Sequence, residues 1–172
     1  MRIVVLFAAA VLLMPGAGMA QIQISTWATD SRTGCKIWNM VPQPNETITW
    51  SGACQNGIAQ GVGVLQWFEA GRPGDRYEGA MRDGKQTGHG VIVSAEGQRY
   101  DGNFSDGAMS GHGVYTYRNG DHYDGEWRNG TPNGLGRFVS ATGGTVFGLW
   151  NNGCYSENGR KVAVAVAPSS CH

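Results

Sequence analysis

Two histidines stand at equivalent positions of a repeating pattern, which raises the question of a metal site. His89 and His112 each lie between two glycines, 23 residues apart. If each repeat is a β-hairpin, such positions are two strands, or roughly 9–10 Å, apart. Nitrogen–metal bonds are near 2 Å, so we do not expect the pair to share an ion. A polar residue in a turn is the simpler interpretation.

Three carboxylates form a second column of equivalent positions, namely Glu78, Asp101 and Asp124. A carboxylate pair that performs acid–base chemistry lies about 5–9.5 Å apart. Neighbouring carboxylates in this column are therefore expected at the upper limit of that range. We interpret the column as a solvated row opposite an aromatic face, with weak ion pairs to Arg82 and Arg128. The sequence carries no nucleophile-elbow, zinc-protease or phosphate-loop motif. We therefore expect a non-enzyme with no catalytic residues, no cofactor and no metal.

Residues 1–20 have the composition of a secretory signal peptide. Arg2 is followed by an apolar run from Ile3 to Met14 and by small residues up to Ala20. The run is shorter than the ~20 residues of a membrane-spanning helix. We expect cleavage after Ala20 and a protein exported to the periplasm or secreted, with an uncleaved anchor as the alternative. The plain leader is typical of a bacterial protein.

Export changes the chemistry expected of the four cysteines, because disulfides persist in oxidising compartments. None of the cysteines forms a CxxC pair, which disfavours a zinc or thioredoxin-type site. Four cysteines allow three connectivities. Local spacing favours Cys35–Cys54 and Cys154–Cys171, which would place one bond at each end of the chain.

The composition is unusual chiefly in its 28 glycines among 172 residues. Lys+Arg and Asp+Glu are equal at 13 each, which argues against a nucleic-acid binder. The aromatic fraction of 10% argues against a disordered polar chain. Many tight turns between short strands are expected.

The glycines and aromatic residues fall on one repeating lattice. Taking the first position of each unit as zero, glycines recur at positions 2, 7, 11 and 13, and the last four units begin 23 residues apart. The units begin at Trp50, Tyr77, Tyr100, Tyr123 and Val146. Position 11 of the last unit is Glu157, which breaks its column. Fixed-period similarity of this kind predicts a repeat architecture.

Each unit is predicted to form a hairpin. In the unit that starts at Tyr100, residues 100–105 form a strand, 106–111 a turn-rich connection and 113–117 a second strand. Residues 118–121 then turn into the next unit, and the Asn-Gly pair there favours a turn. Alternation puts positions 0, 2 and 4 on one face, so the strand glycines leave space in which aromatic rings lie flat.

The three central units resemble MORN repeats at five or more fixed positions each. The flanking units depart from the pattern, as the end units of capped repeat arrays do. The matching segments are Tyr77-Glu-Gly79…Gly84…Gly88-His-Gly90, Tyr100-Asp-Gly102-Asn-Phe104-Ser-Asp-Gly107…Gly111-His-Gly113 and Tyr123-Asp-Gly125-Glu-Trp127-Arg-Asn-Gly130…Gly134-Leu-Gly136.

The resemblance implies an all-β fold, an elongated single-layer antiparallel sheet of about five tandem 23-residue hairpins with disulfide-stapled caps. The predicted organisation is a signal peptide at 1–20, an N-terminal capping segment at 21–47, the repeat array at 48–160 and a C-terminal capping strand and tail at 161–172. Strands are expected at Ile22–Ile24, Cys35–Trp38 and Val162–Ala167.

The aromatic residues are the best candidates for a binding surface, although they could equally form the core of a single-layer sheet. The resemblance implies a non-catalytic scaffold. We expect an unidentified protein partner, or alternatively a cell-wall glycan bound by ring stacking. We expect neither nucleic-acid binding nor strong lipid binding, since the chain is near neutral, and the oligomeric state is left open. The candidate surface is Tyr77, Tyr100, Phe104, Tyr115, Tyr117, Tyr123, Trp127 and Trp150.

Overall fold

The structure is a computed structural model that describes residues 26–157 and 159–171. The predicted leader and the predicted strand Ile22–Ile24 lie outside the described residues. No helix in the described part of the chain is long and apolar enough to cross a membrane. The strands are β1 Thr26–Thr29, β2 Lys36–Asn39, β3 Glu46–Trp50, β4 Ala53–Gln55, β5 Ile58–Glu69, β6 Arg72–Arg82, β7 Lys85–Val93, β8 Arg99–Ser105, β9 Ala108–Thr116, β10 His122–Arg128, β11 Thr131–Val139, β12 Thr145–Trp150, β13 Cys154–Glu157 and β14 Arg160–Ala163, and a 3₁₀ helix spans Pro168–Ser170.

One open, mostly antiparallel sheet contains β1 to β12. From β5 to β12 each strand pairs with the next strand in sequence, which is the simplest topology a chain of hairpins can adopt. Both β3 and β4 pair with the long β5, and β2 pairs with β5 in parallel. The predicted all-β architecture of tandem hairpins is confirmed.

Within the repeat units, the hairpins close through two-residue turns in which both residues have positive φ. In the central hairpin these are Asp106 at 49° and Gly107 at 89°, a conformation that Asp/Asn-Gly pairs favour because it matches the strand twist. The predicted turn-rich connection over 106–111 is therefore too long, since β9 already begins at Ala108.

A β-bulge interrupts the hairpins β6–β7, β8–β9 and β10–β11 at equivalent places. In β8 and β9, Gly102 pairs with Gly113 but Phe104 pairs with Met109, so the register shifts between them. Gly111 sits in the bulge at φ 60°. Bulges of this kind place a glycine in the left-handed region, which explains the glycine column at position 11.

At the N-terminal end, β1 and β2 form a hairpin that is fixed to the array in two ways. Cys35 bonds Cys54, with their Cα atoms 5.8 Å apart. The fully buried Asp30 carboxylate accepts the backbone N–H of Trp50 at 2.9 Å. Burial opposes ionisation of Asp30, but the N–H groups of Trp50 and Arg32 and the Arg32 guanidinium outweigh it and lower the pKa.

The C-terminal end departs from the prediction. The fifth hairpin is not completed, because β13 pairs with β14 in a separate sheet. Glu157, the last residue of β13, stands where the other units have the bulge glycine. The predicted strand Val162–Ala167 is also wrong, since β14 ends at Ala163 and Ala165 has φ 57°. The predicted disulfide Cys154–Cys171 is present.

Candidate functional site

An aromatic ladder forms the core along one face of the sheet. Tyr100 and Tyr123 make edge-to-face contacts with the ring at position 4 of their own unit and with that of the next unit. Tyr77, whose own unit has Met81 at position 4, makes this contact with Phe104 of the next unit. Tyr100 lies 5.2 Å from both Phe104 and Trp127, measured between ring centroids. This is the favoured geometry for aromatic pairs. The ladder consists of Tyr77, Phe104, Tyr100, Trp127, Tyr123 and Trp150.

The ladder tyrosines lie flat over paired glycines. A Cβ atom on Gly102 would lie 2.6 Å from the Tyr100 hydroxyl oxygen, and one on Gly113 would lie 2.3 Å from it. Real Cβ contacts are not that short, so the two columns require glycine. This arrangement accounts for the glycines at positions 2 and 13 and agrees with the space inferred from the sequence.

The same hydroxyls satisfy backbone groups that the bulge leaves unpaired. The Tyr100 hydroxyl donates to the Asn103 carbonyl at 2.9 Å, and Tyr77 and Tyr123 make the equivalent bonds to Ala80 and Glu126. Burial raises the pKa of Tyr77 to about 12 and raises those of Tyr100 and Tyr123 further. These hydroxyls are structural donors that stay protonated.

The eight proposed surface residues fall into a partly exposed group and a buried group. Only Tyr115 and Tyr117 are partly exposed, with ring centroids 4.9 Å apart. The other six form the ladder, and the most exposed of them, Phe104, is 6% exposed. Those six belong to the core, which is the alternative that the sequence left open. They are Tyr77, Tyr100, Phe104, Tyr123, Trp127 and Trp150.

The opposite face carries two histidine–aspartate pairs. His89 Nε2 lies 3.0 Å from Asp101 Oδ1, and His112 Nε2 lies 3.0 Å from Asp124 Oδ1. The histidines lie in strands, so their assignment to a turn is wrong. Each pair links one hairpin to the next across the sheet. No group of three or more His, Cys, Asp or Glu among residues 26–157 and 159–171 is placed to hold a metal ion.

The arginine partners predicted for the acidic column also differ from those in the structure. Arg76, not Arg82, pairs with Glu78 at 2.8 Å, because residues two apart in a strand share a face. Arg128 donates to the Asn133 side chain instead of pairing with Asp124.

The His–Asp row ends in an exposed apolar patch. Leu135 and Phe147 occupy the positions held by His112 and Asp124 one unit earlier, and they are 51% and 65% exposed. Leu149, directly opposite Leu135 in the β11–β12 pair, is 74% exposed. The patch therefore distinguishes the last strands of the sheet from the central hairpins.

A groove of about 840 Å³ opens on the aromatic face, beside the ladder. One wall is the end of β2 with the residues that follow it, and the floor is the face of β5 to β9. Half-buried apolar side chains lie on this floor beside buried Phe104 and Gln86. The floor consists of Trp67, Gln86, Ile92, Phe104 and Met109, and the wall of Trp38 to Val41.

The groove has the volume of a small-molecule or peptide pocket, and its rim is acidic. Glu46, Glu69, Asp75 and Glu96 line it, and no lysine, arginine or histidine is among the described residues that do so. Burial raises the pKa of Tyr115, and the charges of Tyr117 and of Glu96 and Asp75 at this rim raise it further.

Comparison with known families agrees with this repeat geometry. The MORN repeat family model matches residues 55–69, 77–99, 100–122 and 123–145, so its matches span the array from β4 to the start of β12. The chain is a MORN-repeat protein. No curated protein matches it.

The MORN matches coincide with the regular hairpins. The first match begins at residue 55, past Trp50 and Cys54, which replace aromatic residues of the pattern. The fifth unit, whose hairpin the structure leaves incomplete, has no match. The groove therefore combines a family element, the MORN sheet, with an N-terminal wall outside the matched residues.

Sequence reasoning missed the groove and its residues. Gln86 and Met109 both occupy position 9 of their units, which the sequence placed in a connection. Once β9 is known to begin at Ala108, alternation puts position 9 on the aromatic face. The N-terminal wall had no sequence signal, because it depends on how Met40 and Val41 fold over the sheet.

Proposed function

We propose that this MORN-repeat protein is a non-catalytic, exported binding protein that holds a partner protein in the groove on its aromatic face. The carrying observation is the groove itself, whose apolar floor lies on a continuously hydrogen-bonded sheet. Repeat sheets of this kind offer preformed surfaces. A rigid site loses little conformational entropy when it binds.

Two observations support this function and compartment. MORN repeats generally mediate protein or membrane interactions, and the near-neutral charge of this chain favours the protein over the anionic membrane. The two disulfides are compatible with an oxidising compartment, where such bonds persist.

Site-specific photo-cross-linking tests the binding role. A photoreactive residue replacing Ala95, which is exposed at the groove rim, should yield adducts with a protein in the producing cells. The same residue replacing Glu78, on the opposite face, is the control and should yield none. Adducts from position 78 alone would move the interface to the opposite face. Absence of protein adducts from both positions, together with sedimentation on insoluble cell wall, would replace the proposal with the glycan alternative.

Export is tested by the intact mass of the protein recovered outside the cytoplasm. The proposal expects a chain starting at Gln21, lighter by four hydrogens for its two disulfides. A mass that retains residues 1–20 would contradict cleavage, and reduced cysteines would contradict an oxidising compartment.

A further inference from the structure

The residues that line the groove include four carboxylates and no lysine, arginine or histidine. Its acidic residues are Glu46, Glu69, Asp75 and Glu96, and no ion pair joins any of them to another described residue. Every ion pair of the described chain is made by other carboxylates. A cleft lined by one sign of charge concentrates the field within it, so the groove attracts cations.

Two of these carboxylates stand directly opposite each other. Glu46 in β3 pairs with Glu69 in β5, and like charges at directly opposed positions destabilise a sheet. Asn39 Nδ2 and the Gln43 N–H donate to Glu46 at 2.8 and 3.0 Å. These bonds hold its carboxylate in place but leave its charge unneutralised. Arg72 stands opposite Glu69 in β6 but forms no ion pair with it, so a cation bound beside the two carboxylates would relieve the remaining repulsion.

The floor contains a polar group without a partner. Gln86 is only 8% exposed, it lines the groove, and its side-chain amide forms no hydrogen bond with another described residue. The amide atoms themselves are accessible to solvent in the groove, so a ligand there can bond them directly. An amide carries both a donor and an acceptor, which suits the N–H and C=O groups of a peptide backbone.

The apolar floor of the groove indicates the third property of its ligand, an apolar side chain. Trp67, Ile92 and Met109 are half-buried and pack against the core, while Met40 and Val41 of the wall are 45% and 54% exposed. An apolar side chain inserted between wall and floor would cover both surfaces. Methionine and aromatic side chains adapt to such ligands.

We propose that the groove binds an extended, cationic peptide segment of the partner, with an apolar side chain on the floor and lysine or arginine side chains at the acidic rim. The inference rests on the proposed function and adds the chemistry of the partner. Gln86 bonds the peptide backbone, Trp67 and Met109 hold the apolar side chain, and Glu69 and Glu96 pair with the cations. A polyanionic glycan or an acidic segment is repelled.

Fluorescence anisotropy with three short labelled peptides tests the proposal on the full disulfide-bonded protein. The first alternates lysine and leucine, the second replaces lysine with glutamate, and the third replaces leucine with serine. Only the first should bind, and its affinity should fall as ionic strength rises from roughly 0.05 M to 0.5 M, because salt screens exposed charges. Equal binding of the serine peptide would overturn the apolar requirement, and binding of the glutamate peptide would overturn the cationic one.

The Glu69→Gln/Glu96→Gln variant removes two charges from the rim. Its affinity for the lysine–leucine peptide should be about threefold to tenfold lower, as expected for the loss of two exposed ion pairs. The control Glu78→Gln/Glu126→Gln removes the same charge on the opposite face and should leave affinity unchanged. Equal weakening by both variants would show an effect of net charge alone and would overturn the groove as the site.

The Gln86→Met variant separates binding from folding. Methionine keeps the length of the side chain but removes the unpartnered amide, so the melting temperature should stay the same or rise while peptide affinity falls. Unchanged affinity would contradict the backbone contact. If groove adducts form in cells but depend on neither Glu69 nor Glu96, the binding function stands and the cationic partner is wrong. If no groove adduct forms, the binding function itself fails.

Discussion

At the scale of single residues, one hydroxyl group connects the aromatic core to the backbone irregularity beneath it. The bulge removes the Asn103 carbonyl from the strand ladder, and the Tyr100 hydroxyl replaces the missing donor. The repeat can therefore keep its bulge only with a long polar side chain at position 0. Trp50 serves the same purpose in the first unit, where its indole N–H donates to the Ala53 carbonyl at 2.9 Å.

Tyr100→Phe should lower the free energy of unfolding by about 0.5–1.5 kcal/mol, because it removes the hydroxyl that donates to the Asn103 carbonyl. Urea denaturation measures the change. Tyr115→Phe is the matched control, since its hydroxyl bonds no other described residue and should cost much less. Equal losses in both variants would contradict the role assigned to the bulge.

Gly102→Ala should be destabilising, since the added Cβ would lie 2.5 Å from the Gly113 Cα and 2.6 Å from the Tyr100 hydroxyl oxygen. Overpacking of this kind costs about 1–3 kcal/mol. The control is Gly144→Ala, whose Cβ would meet only the Ser140 side chain at 3.8 Å. Thermal unfolding of the two variants should differ by several degrees, and equal melting temperatures would be inconsistent with flat ring packing.

At the scale of elements, the two disulfides act on separate ends of the sheet. Their sequence separations are 19 and 17 residues, so each is worth about 3 kcal/mol in the chain-entropy model. Cys154→Ser/Cys171→Ser should increase hydrogen exchange in β12 to β14 and leave β8 and β9 protected. Cys35→Ser/Cys54→Ser should instead increase hydrogen exchange in β1 to β5. A uniform rise across the sheet in either variant would show that the caps act globally.

The central hairpins were predictable because each unit contains its own turn, strands and glycine floor. The length of β9 was not, since the bulge at Gly111 lets a glycine-rich segment continue as strand. The prediction of the C-terminal strand was wrong for a related reason. Alternation in Val162–Ala167 indicated a strand, but Ala165 adopts a left-handed conformation and its N–H donates to the Tyr117 hydroxyl at 3.2 Å, a tertiary contact that no local pattern encodes.

The candidate site was less predictable than the fold. Aromatic residues indicated the correct face, yet a ring in the ladder and a ring at the groove have similar sequence patterns. What separates Tyr100 from Tyr115 is the paired glycines beneath Tyr100 and the neighbouring rings on both sides. The acidic rim was overlooked because Glu46 and Glu96 are far apart in sequence and meet only through the pairing of β3, β5 and the hairpins.

At the scale of the whole molecule, stability should fall in alkali. The folded state favours the protonated forms of Tyr77, Tyr100 and Tyr123, whose pKa values burial raises above 10.0. Their contribution is complete below pH 10 and is lost as pH rises through about 12, the folded pKa of Tyr77. Urea midpoints should be constant with respect to these groups near neutrality and drop above pH 10. A midpoint unaffected across pH 10–12 would contradict the burial of these hydroxyls.

Removing one whole unit should preserve the fold. Deletion of residues 100–122 joins Arg99 to Tyr123, so Tyr77 meets Trp127 in place of Phe104 and His89 meets Asp124 in place of Asp101. The shortened protein should fold with both disulfides and unfold cooperatively, as followed by circular dichroism and disulfide mapping. Deletion of 106–116 is the control. It leaves β8 and β10 running in the same direction with a connection too short for a parallel pair, and it should not fold. Folding of both deletions would contradict the sequential pairing of the strands.

The interchangeable contacts of the ladder also bear on how such a chain changes through generations. Neighbouring units are similar enough in sequence for replication slippage or unequal recombination to add or drop one, and a gain or loss of a whole unit leaves the side chains of every remaining strand on the same face of the sheet. An odd-numbered insertion or deletion within a strand shifts the rings to the wrong face, and an even-numbered one separates each ring from its paired glycines, so selection removes both. Descendants of this gene should therefore differ in length by multiples of 23 codons, with both stapled ends inherited unchanged.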